Sequence, residues 1–239
     1  MDRRYARQVS VIGKEGQEQL KESTVFLAGA GGLGSPVAIY LAAAGIGHLR
    51  VSDCDRVEES NLNRQILHRQ KDIGRLKVES AKDTLLARNF DLGITLLSEE
   101  IDDENAEVLV GNASVIVDAL DRYPPRFTLN NVAVNRKIPL VHGAIRGLYG
   151  QVTSVVPGEG PCLQCIYGSL PPVEEEIPAL GPTAGVIGSI QAGEVIKCLT
   201  GTGRLLAGRM LVWDGKHGTM DEIRIEKNPS CRVCGGEGE

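Results

Sequence analysis

The sequence predicts an α/β fold: a doubly wound, Rossmann-like, mainly parallel sheet extended by antiparallel strands, with a Cys₄ zinc site. Three observations predict it. Short apolar strands alternate with helical segments up to about residue 148, the glycine-rich loop Gly29–Gly34 links the first strand to a helix, and the pattern changes after Gly150. At 239 residues the chain is long enough for a substantial core. We expect one domain over residues 1–239, with a nucleotide-binding half (about 1–148) and a second half (about 149–239) that carries the zinc.

The elements of the first half follow from apolar runs and helical spacing. Strand-length apolar runs separated by segments with apolar residues on one helical face indicate parallel strands with helices on both sides of the sheet. In chain order we expect a strand over 24–28, a helix over 33–44 that ends at Gly45, a strand over 48–53, a helix over 77–88, strands over 94–97 and 115–118, a helix over 127–135 and a strand over 139–144.

The second half has a different pattern. We expect a strand over 151–156, a helix over 185–199 and late strands over 210–213 and 222–225. The segment 169–178 is rich in proline and glutamate, which predicts a mobile surface loop.

Charge and hydropathy restrict the partners. The formal net charge of −5 and a pI near 5.5 argue against nucleic acid or an anionic membrane as the main partner. No apolar run approaches the ~20 residues of a membrane span. The first eight residues carry charge without a following apolar core, so they do not read as a secretory signal. We expect a cytoplasmic protein.

Four of the six cysteines form two C-x-x-C pairs, Cys162 with Cys165 and Cys231 with Cys234. Each pair can direct two thiolates to one metal ion, and two pairs complete a tetrahedral zinc site. The alternatives are a redox C-x-x-C or unrelated thiols. Four thiolates leave no open coordination position, so the expected zinc is structural. Of the remaining cysteines, we expect Cys198 in the core and Cys54 in a packed position.

The glycine-rich loop predicts nucleotide binding. Gly29, Gly31 and Gly34 fit the dinucleotide fingerprint, and Gly32 lies in the same turn at the start of a helix, whose N-terminus favours anions. Asp53 ends the second strand, where a carboxylate can accept hydrogen bonds from both ribose hydroxyls. A cap at the strand end is the alternative for Asp53.

A polar segment follows the second strand. Besides Asn61 and Gln65 it offers Arg64, whose planar guanidinium can bind phosphate oxygens, and it is followed by Lys77, a point charge at the start of a helix. The alternative is a solvated face with scattered charges. The set of residues favours a triphosphate over a redox dinucleotide.

Together these motifs resemble the MoeB/ThiF/HesA family of ubiquitin-activating-enzyme-like adenylyltransferases. The resemblance runs from Arg4 to Gly235 in the right order. It rests on Arg4-Tyr-Ala-Arg-Gln8, Gly29-Ala-Gly-Gly-Leu-Gly34, Asp53-x-Asp55, Asn61-x-Asn-Arg-Gln65, Lys77, Asp118-x-x-Asp121 and the two C-x-x-C pairs. It implies that ATP and the C-terminal carboxylate of a small ubiquitin-like sulfur carrier protein ending in Gly-Gly give an acyl-adenylate and pyrophosphate. The second half would then bind the carrier.

The resemblance also implies roles for individual residues. Asp121 would hold Mg²⁺, Arg64 and Lys77 would neutralise phosphates, and Asn61 would orient them. Arg7 would reach the neighbouring subunit's site, which implies a homodimer. The implied nucleotide-binding set is Gly29, Gly31, Gly32, Gly34, Asp53, Asp55, Asn61, Arg64, Gln65 and Lys77.

Three departures from the family pattern matter. Arg122 stands where the family often has asparagine after the metal-binding aspartate. Some relatives carry a cysteine in the expected mobile loop that links covalently to the carrier, but the segment 169–178 has no cysteine. We therefore expect activation without a covalent enzyme–carrier intermediate there. No sulfurtransferase-like extension follows, so we expect a separate protein as the sulfur donor.

Several alternatives stay open at this point. A nicotinamide- or flavin-dependent oxidoreductase would use the same glycine loop, but no acid–base pair stands out, because we expect His68, His142 and His217 to be isolated surface or core residues. A non-catalytic module that binds a ubiquitin-like protein is a second alternative. Within the enzyme class, the carboxylate can belong to a peptide terminus or a modified tRNA base. The product pathway (molybdopterin, thiazole or another) is not indicated.

Overall fold

The computed structural model describes residues 3–169 and 177–235. Within these ranges one sheet of eight strands has the order β3-β2-β1-β4-β5-β6-β7-β8. The strands are β1 Thr24–Ala28, β2 His48–Ser52, β3 Gly93–Leu97, β4 Val115–Asp118, β5 Leu140–Arg146, β6 Tyr149–Val155, β7 Arg209–Asp214 and β8 Thr219–Arg224.

Helices cover both faces of this sheet. They are α1 Ala6–Glu22, α2 Gly34–Ala44, α3 Lys77–Arg88, α4 Ala106–Val110, α5 Tyr123–Arg136, α6 Leu163–Tyr167 and α7 Gly181–Thr200. Gly13 interrupts α1 with a φ of 76°, a value in the left-handed region that favours glycine. Among the described residues no helix is long and apolar enough to cross a membrane.

The sheet changes character half-way. The five strands from β3 to β5 pair in parallel, whereas β5–β6, β6–β7 and β7–β8 are antiparallel. The expected parallel sheet with an antiparallel extension is confirmed. The chain builds outward from β1 in one direction through β2 and β3, and then returns to place β4 on the other side of β1. In such sheets, ligands bind at the carboxyl ends of the two strands where the order reverses.

Two apolar layers enclose the sheet. One lies under α2, α3 and α7, and the other lies under α4, α5 and α6. Close packing of α2 on α7 requires a glycine, because a Cβ at Gly188 would lie 2.4 Å from Cγ of Pro36. This packing brings the start of α7 near the glycine loop that precedes α2.

Several elements differ from the sequence prediction. Helix α5 begins at Tyr123, four residues early, because Pro124 and Pro125 occupy its first turn, where a missing N–H costs no hydrogen bond. Helix α7 also begins earlier, at Gly181. Helices α1, α4 and α6 were not predicted. Most of the expected mobile loop, residues 170–176, lies outside the described residues.

Candidate active site

The carboxyl ends of β1 and β4 form the centre of the candidate site. Ala28 and Asp118 are partners in register, and the backbone N–H of Ala119 donates to the carbonyl of Ala28 at 2.9 Å. A Cβ at Gly29 would lie 2.7 Å from the carbonyl oxygen of Ala119. The glycine loop after β1 and the loop that carries Asp121 after β4 are therefore in direct backbone contact.

The glycines of this loop have different surroundings, and only two of them occupy positions that exclude a side chain. Gly29 has a φ of 96°, and a Cβ at Gly34 would lie 1.8 Å from the carbonyl oxygen of Gly29. At Gly31 and Gly32, by contrast, the nearest atoms include side chains of Gln65 and Arg64, at 3.6 and 3.7 Å from an added Cβ. Gly29 and Gly34 fix the turn, while Gly31 and Gly32 leave space beside the polar segment and the N-terminus of α2, which favours anions.

Asp53 is held at the end of β2 by the loops beside it. Its side chain is 9% exposed and accepts the backbone N–H of Ala30 at 2.8 Å and that of Asp55 at 2.9 Å. Burial raises its pKa, and the nearby Lys77 opposes that rise. Each carboxylate oxygen keeps a second acceptor position, which is what two ribose hydroxyls require.

Lys77 begins α3 and is buried next to two carboxylates. Its Nζ lies 2.7 Å from Oδ2 of Asp55 and 3.9 Å from Oδ1 of Asp53. Its backbone N–H donates to the carbonyl of Asp55 at 2.9 Å. The amine is therefore fixed close to the expected ribose site.

The segment from Asn61 to Gln65 forms a compact turn against the same loop. The Nη1 of Arg64 donates to the carbonyl of Ser60 at 2.8 Å and to Oδ1 of Asn63 at 3.0 Å. Asn61 is buried and its Oδ1 accepts the backbone N–H of Glu58 at 3.2 Å. Gln65 is 5% exposed, and within the described residues its Oε1 has no hydrogen-bond partner. A buried amide oxygen without a donor is a ready acceptor for a ligand.

His68 supports the loop from beneath, a role that the sequence did not indicate. Its Nε2–H donates to the carbonyl of Ala30 at 3.0 Å, so its Nδ1 accepts the hydroxyl of Ser80 at 2.9 Å. Burial lowers the pKa of His68, which keeps the ring neutral near pH 7. Ala30 is thus held on both its N–H and its carbonyl, by Asp53 and by His68.

Asp121 lies exposed in the loop between β4 and α5. The neighbouring Leu120 is fixed, because its N–H donates to Oδ1 of Asp118 at 3.1 Å and its carbonyl accepts a hydrogen bond from Nη2 of Arg126. Arg122 points to Glu100, with Nη1 and Oε1 3.4 Å apart, and both side chains are exposed. The expected metal ligand is therefore held by its backbone while its carboxylate stays accessible.

Three charged or titratable side chains are buried below this loop. Asp118 and His142 are 0% exposed and Arg126 is 5% exposed. Burial raises the pKa of Asp118, but Arg126 and the hydrogen bond from His142 outweigh it and hold the pKa below its usual value. Burial lowers the pKa of His142. The arginine and the aspartate therefore balance in charge around a neutral imidazole.

The expectation for the histidines is only partly right. His68 and His142 are core residues and His217 is on the surface. None of the three is isolated, since His217 also lies 2.8 Å from a carboxylate oxygen of Asp214. The expectation for Cys54 is wrong: Cys54 is exposed, because it follows the strand at the rim of the site. Cys198 packs against the core as expected.

Arg7 does not lie at the candidate site of its own chain. The neighbouring Gln8 donates to the carbonyl of Ala44, the last residue of α2, at 2.7 Å. An 11-residue helix is about 16 Å long. Arg7 is exposed at the opposite end of α2 from the glycine loop.

The four expected zinc ligands converge. The Sγ atoms of Cys162, Cys165, Cys231 and Cys234 all lie within 4.8 Å of one another, with 3.7 Å between Cys162 and Cys231 and 3.4 Å between Cys165 and Cys234. Tetrahedral zinc with Zn–S bonds of about 2.3 Å separates its sulfurs by roughly 3.8 Å. The cluster therefore fits a tetrahedral metal ion, and it joins α6 to the segment after β8.

A model of the ThiF family matches residues 5–233. The chain belongs to the ThiF family. Among curated proteins, it is 41% identical over 242 residues to the SAMP-activating enzyme E1 of Haloferax volcanii, covering 98% of this chain and 89% of that protein. It is 42% identical over 242 residues to the adenylyltransferase and sulfurtransferase MOCS3 of Drosophila yakuba, covering 98% of this chain but only 53% of MOCS3.

Solved structures give the same assignment. The structure of Escherichia coli MccB with MccA-N7isoASN has a TM-score of 0.88 at 25% identity, covering 98% of this ThiF-family chain and 74% of MccB. The structure of PaaA has a TM-score of 0.82 at 29% identity, covering 94% of this chain and 73% of PaaA. The MoeB/ThiF/HesA-type fold inferred from the motifs is confirmed.

Proposed function

We propose that this ThiF-family chain adenylates the C-terminal glycine carboxylate of a small ubiquitin-like sulfur carrier protein, giving acyl-adenylate and pyrophosphate. The observation that carries the proposal is the contact between the glycine loop and the Asp121 loop at the carboxyl ends of β1 and β4, next to Asp53 and Lys77 after β2. Anion-binding backbone, a fixed amine and an exposed carboxylate suit a nucleoside triphosphate with a divalent cation.

The substrate itself supplies the nucleophile. A carboxylate oxygen attacks the α-phosphorus of ATP, the bond to the bridging oxygen breaks, and pyrophosphate leaves. No side chain needs to act as nucleophile or general base, so the protein contributes positioning and charge stabilisation.

Each proposed role follows from a fixed position. Asp53 accepts the ribose hydroxyls, and Lys77 and Arg64 bind phosphate oxygens, with Asn61 and Gln65 orienting them. Lys77 exchanges part of its contact with Asp55 for phosphate. Asp121 would hold Mg²⁺, which, when bound, offsets negative charge on the phosphates. Zn²⁺ in the cysteine cluster would be structural, since four thiolates fill its coordination.

The names of the relatives support the class of substrate. One is called a SAMP-activating E1, and MOCS3 is called an adenylyltransferase and sulfurtransferase. A sulfur donor separate from this chain and a place in molybdopterin, thiamine or related biosynthesis belong to the proposal, as does a cytoplasmic location. We also propose the chain as a single adenylation domain whose second half, about 149–239, contacts the carrier.

A homodimer completes the proposed site. Arg7 lies far from the glycine loop of its own chain, so the role that the resemblance implies for Arg7 requires a second copy of the chain. The alternative substrate is a peptide C-terminus, favoured by the similarity to MccB solved with MccA. It has less support because the more similar relatives carry the E1 and MOCS3 names.

The test is ATP–pyrophosphate exchange in the presence of Mg²⁺ with several Gly-Gly-ending carrier proteins. We expect exchange that depends on one carrier and falls at least 100-fold in Asp121→Ala. The control is Asp91→Ala, which removes an exposed aspartate just before β3 and leaves exchange unchanged. Exchange with a free peptide but no carrier would favour the alternative substrate. Absence of ATP binding would overturn the proposal.

A further inference from the structure

A chain of hydrogen bonds runs from α6 to the loop that carries Asp121. The hydroxyl of Tyr167 lies 2.8 Å from Nε2 of His142, and Nδ1 of His142 lies 2.6 Å from Oδ2 of Asp118. The other oxygen of Asp118 accepts the N–H of Leu120 at 3.1 Å. At the far end, Nε2 of Gln151 donates to the hydroxyl of Tyr167. These hydrogen bonds link α6, β6 and β5 to the end of β4.

The partners fix the direction of every bond. The Asp118 carboxylate only accepts, so Nδ1 of His142 carries the proton and Nε2 accepts from the hydroxyl of Tyr167. The oxygen of Tyr167 is then free to accept from Gln151. All four hydrogen bonds can therefore form when the imidazole is neutral. Arg126 donates to two backbone carbonyls, those of Gly143, at 3.1 Å, and Leu120.

Tyr167 is itself held on three sides. It is the last residue of α6, two positions after Cys165 of the cysteine cluster. Its ring makes edge contacts with Tyr123, Phe127 and His142, at centroid separations of 5.8, 6.2 and 5.7 Å. A residue fixed by a metal-binding turn and by α5 is a rigid anchor for a hydrogen bond.

We propose that Tyr167 and His142 are positioning residues that hold the Asp121 loop through Asp118 and Leu120. Arg126 and the backbone hydrogen bond of Ala119 to Ala28 hold the start of this loop as well, whereas its end is open, because Asp121 and Arg122 are exposed and so is the pair of Arg122 with Glu100. The effect of Tyr167 and His142 on catalysis rests on the proposed function, since it concerns the position of the Asp121 carboxylate. Their effect on the loop does not rest on it, because the anchoring of the loop can be measured without any substrate.

The test replaces Tyr167 by phenylalanine, which keeps the ring contacts and removes the hydroxyl. A second variant, His142→Asn, keeps a donor toward Asp118 and loses the acceptor for Tyr167. The matched control is Ser154→Ala, which removes a buried hydroxyl hydrogen bond to Glu194 of 2.6 Å, in the same strand as Gln151. Two quantities are measured: amide hydrogen exchange of residues 119–122, and the Mg²⁺ dependence of ATP–pyrophosphate exchange.

We expect Tyr167→Phe and His142→Asn to speed amide exchange in residues 119–122 about 10-fold. The Mg²⁺ concentration for half-maximal activity should rise about five-fold, while kcat at saturating Mg²⁺ changes less than two-fold. Ser154→Ala should lower the melting temperature without either effect. Unchanged amide exchange in Tyr167→Phe, or equal acceleration in Ser154→Ala, would overturn the inference. If no substrate supports pyrophosphate exchange, the proposed function fails and amide exchange alone decides the inference.

Discussion

Replacing Gly34 by alanine tests the close backbone approach in the glycine loop. A Cβ at this position would lie 1.8 Å from the carbonyl oxygen of Gly29, so the two backbones must separate by more than about 1 Å. Overpacking of this kind typically lowers the free energy of unfolding by about 1–3 kcal/mol. A 1 Å displacement in a binding site costs on the order of 100-fold in function. We expect Gly34→Ala to fold and to bind ATP about 100-fold more weakly.

The matched control is Gly193→Ala, in the interior of α7. An added Cβ there has no heavy atom within 4 Å, and alanine favours the helix by about 1 kcal/mol over glycine. The free energy of unfolding should therefore rise, with ATP affinity unchanged. ATP affinity is measured by isothermal titration calorimetry, and stability by urea unfolding. A folded Gly34→Ala protein whose ATP affinity falls less than three-fold would refute the assignment of this loop to phosphate binding.

Three other perturbations have outcomes set by the structure. Burial lowers the pKa of His68 and His142 below 6.5, the value in the unfolded chain. The contribution of these rings to the free energy of unfolding is therefore fully present above pH 6.5, and below it the free energy of unfolding falls by up to about 1.4 kcal/mol per pH unit for each ring. Urea unfolding at a series of pH values should show this decline, and the decline should be shallower in His68→Gln. Cys231→Ser should lower the free energy of unfolding by roughly 4 kcal/mol, the loop-closure value for a cross-link across 69 positions, and an unchanged melting temperature would contradict a bound metal. Lys77→Met should weaken ATP binding about 10- to 100-fold, the loss of a charged hydrogen bond, whereas exposed Lys82→Met in the same helix should leave it unchanged; equal affinities would exclude phosphate contact by Lys77.

The parallel half of the fold could be predicted from the sequence because its central strands are buried on both faces. The run Val115–Val117 is continuously apolar, and the predicted strand over 115–118 matches the observed strand at both ends. Helix α1 is amphipathic but mainly polar, it buries only Gly16, Gln17 and Leu20, and Gly13 interrupts it, so its apolar face is too short to predict where the helix lies. The two prolines at the start of α5 read as a break, although in the first turn they favour a helix.

In the candidate site, motif residues could be predicted and supporting residues could not. Asp53 and Lys77 follow sequence spacings that a nucleotide fold imposes. His68, Arg126 and His142 have no such spacing, since each serves a backbone or side chain brought near only by the folded sheet. The role of Arg7 follows from the resemblance alone, and its distance from the glycine loop of the same chain is a property that only the three-dimensional structure reveals.

The cysteine cluster also imposes an order on biosynthesis. Its first pair, Cys162 and Cys165, is translated before α7, β7 and β8, and its second pair comes after all three. A nascent chain therefore presents two thiols without their counterparts until the ribosome has passed residue 234. During that interval these thiols are open to oxidants. A metal ion that is held by all four thiolates can be bound only after residue 234 has been made and the late strands have closed the sheet.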